Sequence, residues 1–327
     1  MVALVRNNNP FTVLVLFIYA LVINYGALFN PQLPELVDGA FLYNIIVNFF
    51  TIVFFKSAFA FTFISVIMVV LQGLFLNSIA NNNRIYNRPS YTVTFAYISL
   101  CALYTPFVQF SQPMLANWAV IFVIRAFFHL PHANKPRKII YNTGFIVGMA
   151  ALLHFPFVII AALLIIAVVT LRPLNPGELM VAILGILTPI YFAAGMLFLF
   201  DVLFWMRGWV SLGINLPRSM ASPVYFIGAL SGVIILFAMG VYVLQHAVNR
   251  LNVYTRRGWT AIYIALFVLV LVALFTPFDV KAAWLILMPS LALIVGNIYY
   301  HEKNKAFSNF AFYFTLALVI FCKMTGV

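Results

Sequence analysis

The chain has 327 residues, of which 65% are hydrophobic and only 7% are charged. A water-soluble domain of this length cannot bury so much apolar surface, so the composition excludes an ordinary globular protein and indicates a chain embedded in a bilayer. The formal net charge of +12 comes from single basic residues between apolar segments. That distribution is typical of loops on an anionic membrane surface and argues against nucleic-acid binding.

Apolar segments recur along the whole chain, and a membrane helix needs about 20 such residues. The stretch 139–171 is too long for one helix, and Pro156 disfavours helical geometry at the residue before it, so we predict a turn at 154–157. The sequence thus predicts an all-α, polytopic integral membrane helix bundle with about 11 transmembrane helices. The predicted spans are approximately 11–29, 58–78, 91–108, 114–130, 139–154, 156–171, 179–204, 223–245, 259–276, 282–299 and 307–324.

The basic residues predict the orientation of this bundle, because inner loops carry an excess of Lys and Arg. A cytoplasmic N-terminus places twelve basic residues in inner segments and five in outer ones, and Arg125 lies within a span. The inner set is Arg6, Arg84, Arg88, Lys135, Arg137, Lys138, Arg172, Arg250, Arg256, Arg257, Lys303 and Lys305, and the outer set is Lys56, Arg207, Arg218, Lys281 and Lys323. We therefore expect a multi-pass protein with a cytoplasmic N-terminus. The sequence contains no Asn-x-Ser/Thr sequon, which favours a bacterial origin and hence an inner membrane.

The first outer loop, 30–57, holds two of the six acidic residues, Glu35 and Asp38. The segment 41–55 is too short to span comfortably, and we interpret it as an interfacial helix in the outer membrane surface. Asp38 then has two candidate roles. It can cap the free N–H groups of that helix, or it can act as a general base that activates an acceptor at the membrane surface.

The outer loop around Arg207 and Arg218 also has two interpretations. A guanidinium binds phosphate through two hydrogen bonds, but an arginine near tryptophans also anchors a loop in the headgroup zone. His154, at an outer helix end, is a candidate substrate contact. The five histidines and two cysteines show no metal-ligand spacing, so we expect no metal and no cofactor.

The stretch 113–192 resembles the middle of the integral-membrane glycosyltransferases of the GT-C fold. Those enzymes carry a phrase similar to GxxxGxAxLxK before a short outer turn, and here the corresponding residues are Gly144, Gly148, Ala150, Leu152 and His154, with His154 where Lys is common. An acidic outer loop with an interfacial helix after the first span is the other shared feature. The resemblance covers roughly 10–204, which we take as a GT-C-like module, with 205–327 as further transmembrane helices of the same body. The whole chain also resembles an uncharacterised family of multi-span proteins from Bacteroidota.

The resemblance implies a donor and a set of roles. Asp38 or Glu35 would be the catalytic base, and Arg207 or Arg218 would contact the phosphate of a polyprenyl-phosphate-linked sugar. Many relatives carry a further acid between the third and fourth spans, where this chain has Gln109, Ser111 and Gln112. Gln109 is therefore our candidate substrate contact in that loop.

Two functions stay open from the sequence. The first is a glycosyltransferase that moves a sugar from the polyprenyl-phosphate donor to an acceptor at the outer face of the inner membrane. The second is a non-catalytic multi-span component: a lipid-linked-sugar flippase, a transporter or a scaffold of an envelope assembly. A polar path near Arg125 at mid-membrane depth would favour transport. The expected partners are the bilayer, the lipid-linked donor and, in the second case, membrane subunits, with no nucleic acid.

Overall fold

The computed structural model describes residues 2–6, 9–86, 88–173, 175–216, 223–248, 253–300 and 305–326. Regular structure within these ranges is helical throughout, which confirms the all-α class. The α-helices are α1 Val2–Arg6, α2 Phe11–Ile23, α3 Tyr25–Phe29, α4 Phe41–Val53, α5 Ala58–Asn82, α6 Thr92–Cys101, α7 Gln112–His129, α8 Pro136–Leu153, α9 Ile160–Leu171, α10 Pro176–Leu199, α11 Pro223–Val248, α12 Val253–Phe275, α13 Met288–Tyr300 and α14 Lys305–Thr325. Short 3₁₀ helices are Thr105–Val108, Leu130–His132, Phe155–Ile159, Leu203–Gly208 and Ala283–Leu287.

Many of these helices are long and apolar enough to cross a bilayer. In the described part of the chain there are seven: Ala58–Asn82, Gln112–His132, Pro176–Leu199, Pro223–His246, Thr255–Phe275, Ala283–Tyr300 and Ala306–Thr325. Four shorter apolar helical segments accompany them: Phe11–Ile23, Phe41–Val53, Thr92–Cys101 and Phe155–Leu171. The chain is thus a helical membrane protein with several membrane-spanning segments, and α4 forms a separate short helix where one was expected.

The predicted turn near Pro156 is confirmed. Helix α8 ends at Leu153, and His154 takes an extended conformation with φ of −165°. The chain then makes the 3₁₀ turn Phe155–Ile159 before α9 begins at Ile160. The proline at the second position of this turn lacks the N–H that a continuous helix would need, which separates α8 from α9.

One hydrophobic core runs through the molecule, and helices from both predicted parts contribute to it. Helix α13 packs on α6, and α12 packs on α9, so the helices after residue 204 complete the core of the helices before it. A network of buried hydrogen bonds crosses this core. Tyr97 donates to Oε1 of Gln72 at 2.7 Å, and Asn117 donates to Tyr97 Oη and to the carbonyl of Leu285, each at 3.2 Å. These bonds join α5, α6 and α7 to the 3₁₀ turn before α13.

Glycines allow α8 and α10 to pack very closely. A Cβ at Gly144 would lie 3.3 Å from the Cα of Gly185, and a Cβ at Gly148 would overlap the carbonyl oxygen of Ile186 and lie 2.5 Å from Cγ of Pro189. Small residues four apart are a common means of helix association in membranes. The Gly144 and Gly148 phrase therefore has a packing role in this chain.

Contacts between loops define the two ends of the bundle. At one end, Arg6 of α1 donates to the carbonyl of Tyr299 and to Ser308 Oγ, both at 2.7 Å. The Arg172 guanidinium near that end pairs with the buried carboxylate of Glu178 at 3.1 Å. The opposite end gathers the loops 30–40, 102–111, 203–216 and 276–282 through contacts described below.

Candidate functional site

The first of these loops is held by an asparagine, and the predicted capping role of Asp38 is wrong. Helix α4 begins at Phe41 with Ala40 as its N-cap residue and no side-chain cap, so Asp38 lies two positions too early to cap it. Asn44 instead reaches back from the first turn. Its Nδ2 donates to the carbonyl of Val37 at 2.8 Å, and its Oδ1 accepts from Val37 N–H at 3.2 Å.

A glycine brings this loop against the loop before α11. Gly39 has φ of +76°, which favours glycine, and a Cβ there would overlap the carbonyl oxygen of Gly208. The adjacent Asp38 side chain is exposed, and its carboxylate has no hydrogen bond or ion pair within the described ranges. Arg207 lies in the 3₁₀ turn Leu203–Gly208, but its side chain is outside the described part of the structure, and Arg218 lies outside the described residues altogether.

His154 is enclosed beneath the loop 203–216, which contains Trp209. Trp209 Nε1 donates to the carbonyl of Ala151 at 2.9 Å, and its ring meets Phe155 edge-on at 5.3 Å. The His154 side chain is 1% exposed, and neither ring nitrogen has a hydrogen-bond partner among the residues described. Burial lowers its pKa from 6.5 to about 4, and the negative charge of Asp279 opposes that shift only in part.

Asn215 fixes the loop 276–282, which carries Asp279. Its Nδ2 donates to the carbonyls of Pro277 and Val280 at 3.2 and 3.0 Å. Backbone bonds from Gly213 and Asn215 to the last turn of α12 align the two segments further. The loop that contains Asp279 and Lys281 is therefore held by the long connection between α10 and α11.

Two side-chain contacts join the acidic loop to its neighbours. Lys281 Nζ lies 3.4 Å from Oε1 of Glu35, and Gln109 Nε2 donates to Oε1 of Gln32 at 2.9 Å. Both contacts are exposed, with 77% of the Glu35 side chain and 49% of the Lys281 side chain open to solvent. They bring the loops 30–40, 102–111 and 276–282 to one place.

A polar pocket of about 60 Å³ lies between these three loops, and we refer to it below as the polar pocket. Ser111 and Gln112 contribute to its wall, but Oγ of Ser111 and Nε2 of Gln112 are themselves enclosed and have no hydrogen-bond partner among the described residues. The polar residues at its wall include Glu35, Gln109, Ser111, Gln112, Asp279 and Lys281.

An apolar cavity of about 500 Å³ is also lined in part by the 276–282 loop. It is bounded by the end of α6, by α11 and by the segment 284–291, and its wall includes Leu100, Phe226, Val233 and Trp284. This apolar cavity shares Asp279 and Lys281 with the polar pocket. Both residues therefore contribute to the walls of two spaces of opposite polarity.

The structure thus groups some of the predicted site residues and separates others. Glu35 and Gln109 line the polar pocket, whereas Asp38 and His154 line neither of the two spaces. Our sequence analysis did not select Asp279 and Lys281 as site residues. The signal that could have identified them is that both lie in the short segment 278–281, which was predicted to be on the outer side. No three His, Cys, Asp or Glu side chains of the described ranges group closely enough to hold a metal ion.

Comparison with known proteins adds no relative. No protein-family model matches the chain, and neither a curated protein nor a solved structure matches it.

Proposed function

We propose that this protein is a membrane glycosyltransferase that uses a polyprenyl-phosphate-linked sugar. The observation that carries the proposal is the shared wall at Asp279 and Lys281 between the apolar cavity and the polar pocket. A lipid-linked sugar has the same order of parts: an apolar chain, a phosphate and a hydroxyl-rich head. The chain would occupy the apolar cavity, the phosphate would meet Lys281, and the sugar would face the polar pocket.

The proposed chemistry needs a base beside the bond that breaks. The acceptor hydroxyl attacks the anomeric carbon, the bond from that carbon to the phosphate oxygen breaks, and the hydroxyl proton passes to a carboxylate while polyprenyl phosphate leaves. We assign the carboxylate to Asp279, because it stands where the two spaces meet. Glu35 and Asp38 remain the alternatives from the sequence, and Glu35 also lines the polar pocket.

The proposal includes the location and orientation of the chain. We infer eleven crossings, because α2 with α3, α6 with its following 3₁₀ turn, α8, and Phe155–Leu171 would add four spans to the seven long ones. With that count, the positive-inside rule would put the N-terminus in the cytoplasm and the site at the outer face of an inner membrane. The helix α4 would lie in the outer surface beside the site.

The transport alternative has less support from the core. The polar groups of Gln72, Tyr97 and Asn117 are fully buried and bonded to one another. Arg125 is exposed on the surface of α7, with its guanidinium carbon 5.9 Å from the ring centre of Phe75. In the described part of the chain these groups serve helix packing and lipid contact, whereas a transporter needs polar groups along a path.

A transfer assay tests the proposal. Membranes containing the protein are incubated with polyprenyl phosphates that carry labelled glucose, mannose, galactose or N-acetylglucosamine, and label in the acceptor fraction is measured. Asp279→Asn should lower transfer by at least about a hundredfold, since general base catalysis contributes that much. Asp201→Asn is the matched control, because Asp201 is an exposed acid on a different loop, with φ of 57° that Asn also tolerates. Absence of transfer from all four donors would refute the enzyme, and full activity of Asp279→Asn would refute the base.

A further inference from the structure

Residues 210–216 form an irregular segment whose side chains alternate between two sides, and we refer to it as the alternating segment. One side lies against the protein. A Cβ at Gly213 would be 2.8 Å from the Cα of Pro277, and Asn215 is buried. The other side consists of large aliphatic residues that are between 55% and 74% exposed: Val210, Leu212, Ile214 and Leu216.

The exposed side of the alternating segment continues the lipid-facing surface of α11. Leu216 shares the wall of the apolar cavity with Phe226 and Leu230 of that helix. Helix α11 contains one of the long membrane-spanning segments, and Ile227 and Leu230 are exposed on its surface. A contiguous exposed apolar surface is unfavourable in water and typically marks a contact with a membrane or a partner. Because the neighbouring surface already faces lipid, lipid is the partner that fits the alternating segment.

The backbone of the segment limits how deeply it can lie in the bilayer. The N–H groups of Gly213 and Asn215 donate to the carbonyls of Phe275 and Leu274, at 3.2 and 2.9 Å. The N–H groups of Leu212 and Ile214 have no hydrogen bond to any described residue. Unsatisfied backbone groups of an irregular segment are not tolerated in the hydrocarbon interior, whereas water reaches them at the headgroups. The boundary between headgroups and acyl chains therefore suits both the backbone and the aliphatic side chains.

We propose that the alternating segment inserts its four exposed aliphatic side chains into the adjacent lipid leaflet and thereby holds the loop 276–282 at the level of the headgroups. The link to that loop is Asn215, whose Nδ2 donates to the carbonyls of Pro277 and Val280. Asp279 and Lys281 then lie at the depth of the lipid phosphates. The inference goes beyond the proposed function, because it concerns the depth of the site and not the reaction.

Fluorescent labels on single introduced cysteines test the insertion. Leu212→Cys and Ile214→Cys are each labelled with a nitrobenzoxadiazole dye in phosphatidylcholine nanodiscs. The native cysteines are both buried, and wild-type protein gives the background labelling. Quenching by a phosphatidylcholine with a spin label near the top of its acyl chain is compared with quenching by iodide in water. Glu35→Cys is the control, because 77% of the Glu35 side chain is open to solvent.

We expect lipid to quench the labels at 212 and 214 severalfold more strongly than the label at 35, and iodide to quench them severalfold less. Labels at 212 and 214 that behave like the label at 35 would overturn the insertion. Protection from both quenchers, or a disulfide between two copies of Ile214→Cys, would show that protein covers the segment and would also overturn it.

A second experiment tests whether the segment sets the depth of the loop 276–282. The label is placed on Lys281→Cys, and Leu212→Asn with Ile214→Asn replaces two lipid-facing side chains by polar ones. We expect quenching by lipid at 281 to fall by half or more and quenching by iodide to rise. Leu212→Val with Ile214→Val is the matched control and should change neither. Equal quenching at 281 in the two double variants would refute the positioning role.

Folding and catalysis are followed separately. All four substituted side chains in the two double variants are exposed, so their melting temperatures in detergent should stay close to that of the wild type. Insertion of the labels without sugar transfer would refute the enzyme and retain the membrane anchor. Transfer with the labels at 212 and 214 open to iodide would refute the anchor and retain the enzyme.

Discussion

Lys281 Nζ lies 3.4 Å from Oε1 of Glu35, although 246 residues separate them along the chain. Both side chains are largely exposed, and an ion pair in that setting contributes no more than about 1 kcal/mol to stability. The contact therefore adds little stability, but it determines how the two loops lie relative to each other. It joins the acidic loop to the loop 276–282 at the place where the polar pocket and the apolar cavity meet.

Removing the ammonium group should therefore affect the reaction more than the fold. We expect Lys281→Gln to change the free energy of unfolding by less than about 1 kcal/mol. It should lower sugar transfer by about tenfold or more, because a charge-assisted contact to the donor phosphate is lost. Thermal unfolding and the transfer assay measure the two effects. Lys56→Gln is the control, since Lys56 is exposed in the turn between α4 and α5, and equal activity of both variants would contradict the role of Lys281.

Filling the apolar cavity should exclude the lipid chain. Ala229 is 7% exposed and lines the cavity from α11. Ala229→Phe places a ring in that space, so we expect weaker binding of polyprenyl phosphate by about tenfold or more, with little change in unfolding temperature. Ile227→Phe, at a position 64% exposed on the same helix, is the matched control.

Brominated lipid gives a direct readout of the same cavity. Trp284 lies at its wall, so a brominated polyprenyl phosphate should quench the part of the fluorescence that Trp284→Phe removes. Ala229→Phe should abolish this quenching, whereas Ile227→Phe should leave it intact. Equal quenching in the two variants would place the chain elsewhere.

Hydropathy and proline predicted the all-α class and the position of several helices. The apolar segments became helices because lipid requires every backbone polar group to be satisfied within the segment. Pro156 marked the break between α8 and α9, and the segment that begins at Phe41 formed its own helix. These features are determined by residues that are close together in the sequence, so a local sequence pattern is enough to predict them.

The site was less predictable because it depends on contacts between distant loops. Asp38 matched the pattern of a helix cap, but α4 begins too late for it. Asp279 became a candidate only when Asn215 placed its loop between two cavities. The phrase containing Gly148 entered the sequence analysis only as a resemblance, and the close contact of that glycine with α10 became visible in the structure.

The packing role of Gly148 leads to a stability prediction. In Gly148→Ala the new Cβ would overlap the carbonyl oxygen of Ile186 on α10, which would force α8 and α10 apart. We expect a loss of about 1–3 kcal/mol, as in other overpacked interfaces. Gly195→Ala is the control, because a Cβ at Gly195 meets nothing within 4 Å. Thermal unfolding in detergent distinguishes the two, and equal melting temperatures would contradict the close approach of the helices.

The buried imidazole of His154 should make stability depend on pH. Its pKa is about 4 in the folded protein and 6.5 in a solvated chain. Between these values the unfolded chain binds a proton that the folded protein does not, so stability falls as pH decreases through this window. From pH 7 to pH 5 the loss should be about 2 kcal/mol, from 1.36 kcal/mol per pKa unit.

Replacing His154 tests this sign directly. His154→Leu removes the titrating group, so the difference in melting temperature between pH 7 and pH 5 should shrink relative to the wild type. His246→Gln is the control, because His246 is exposed at the end of α11, where its Nδ1 lies 2.9 Å from the carbonyl oxygen of Tyr242. That variant should retain the full pH dependence. If His154→Leu kept the same pH dependence as the wild type, the acid sensitivity would arise from other groups, and protonation of His154 would not be coupled to unfolding.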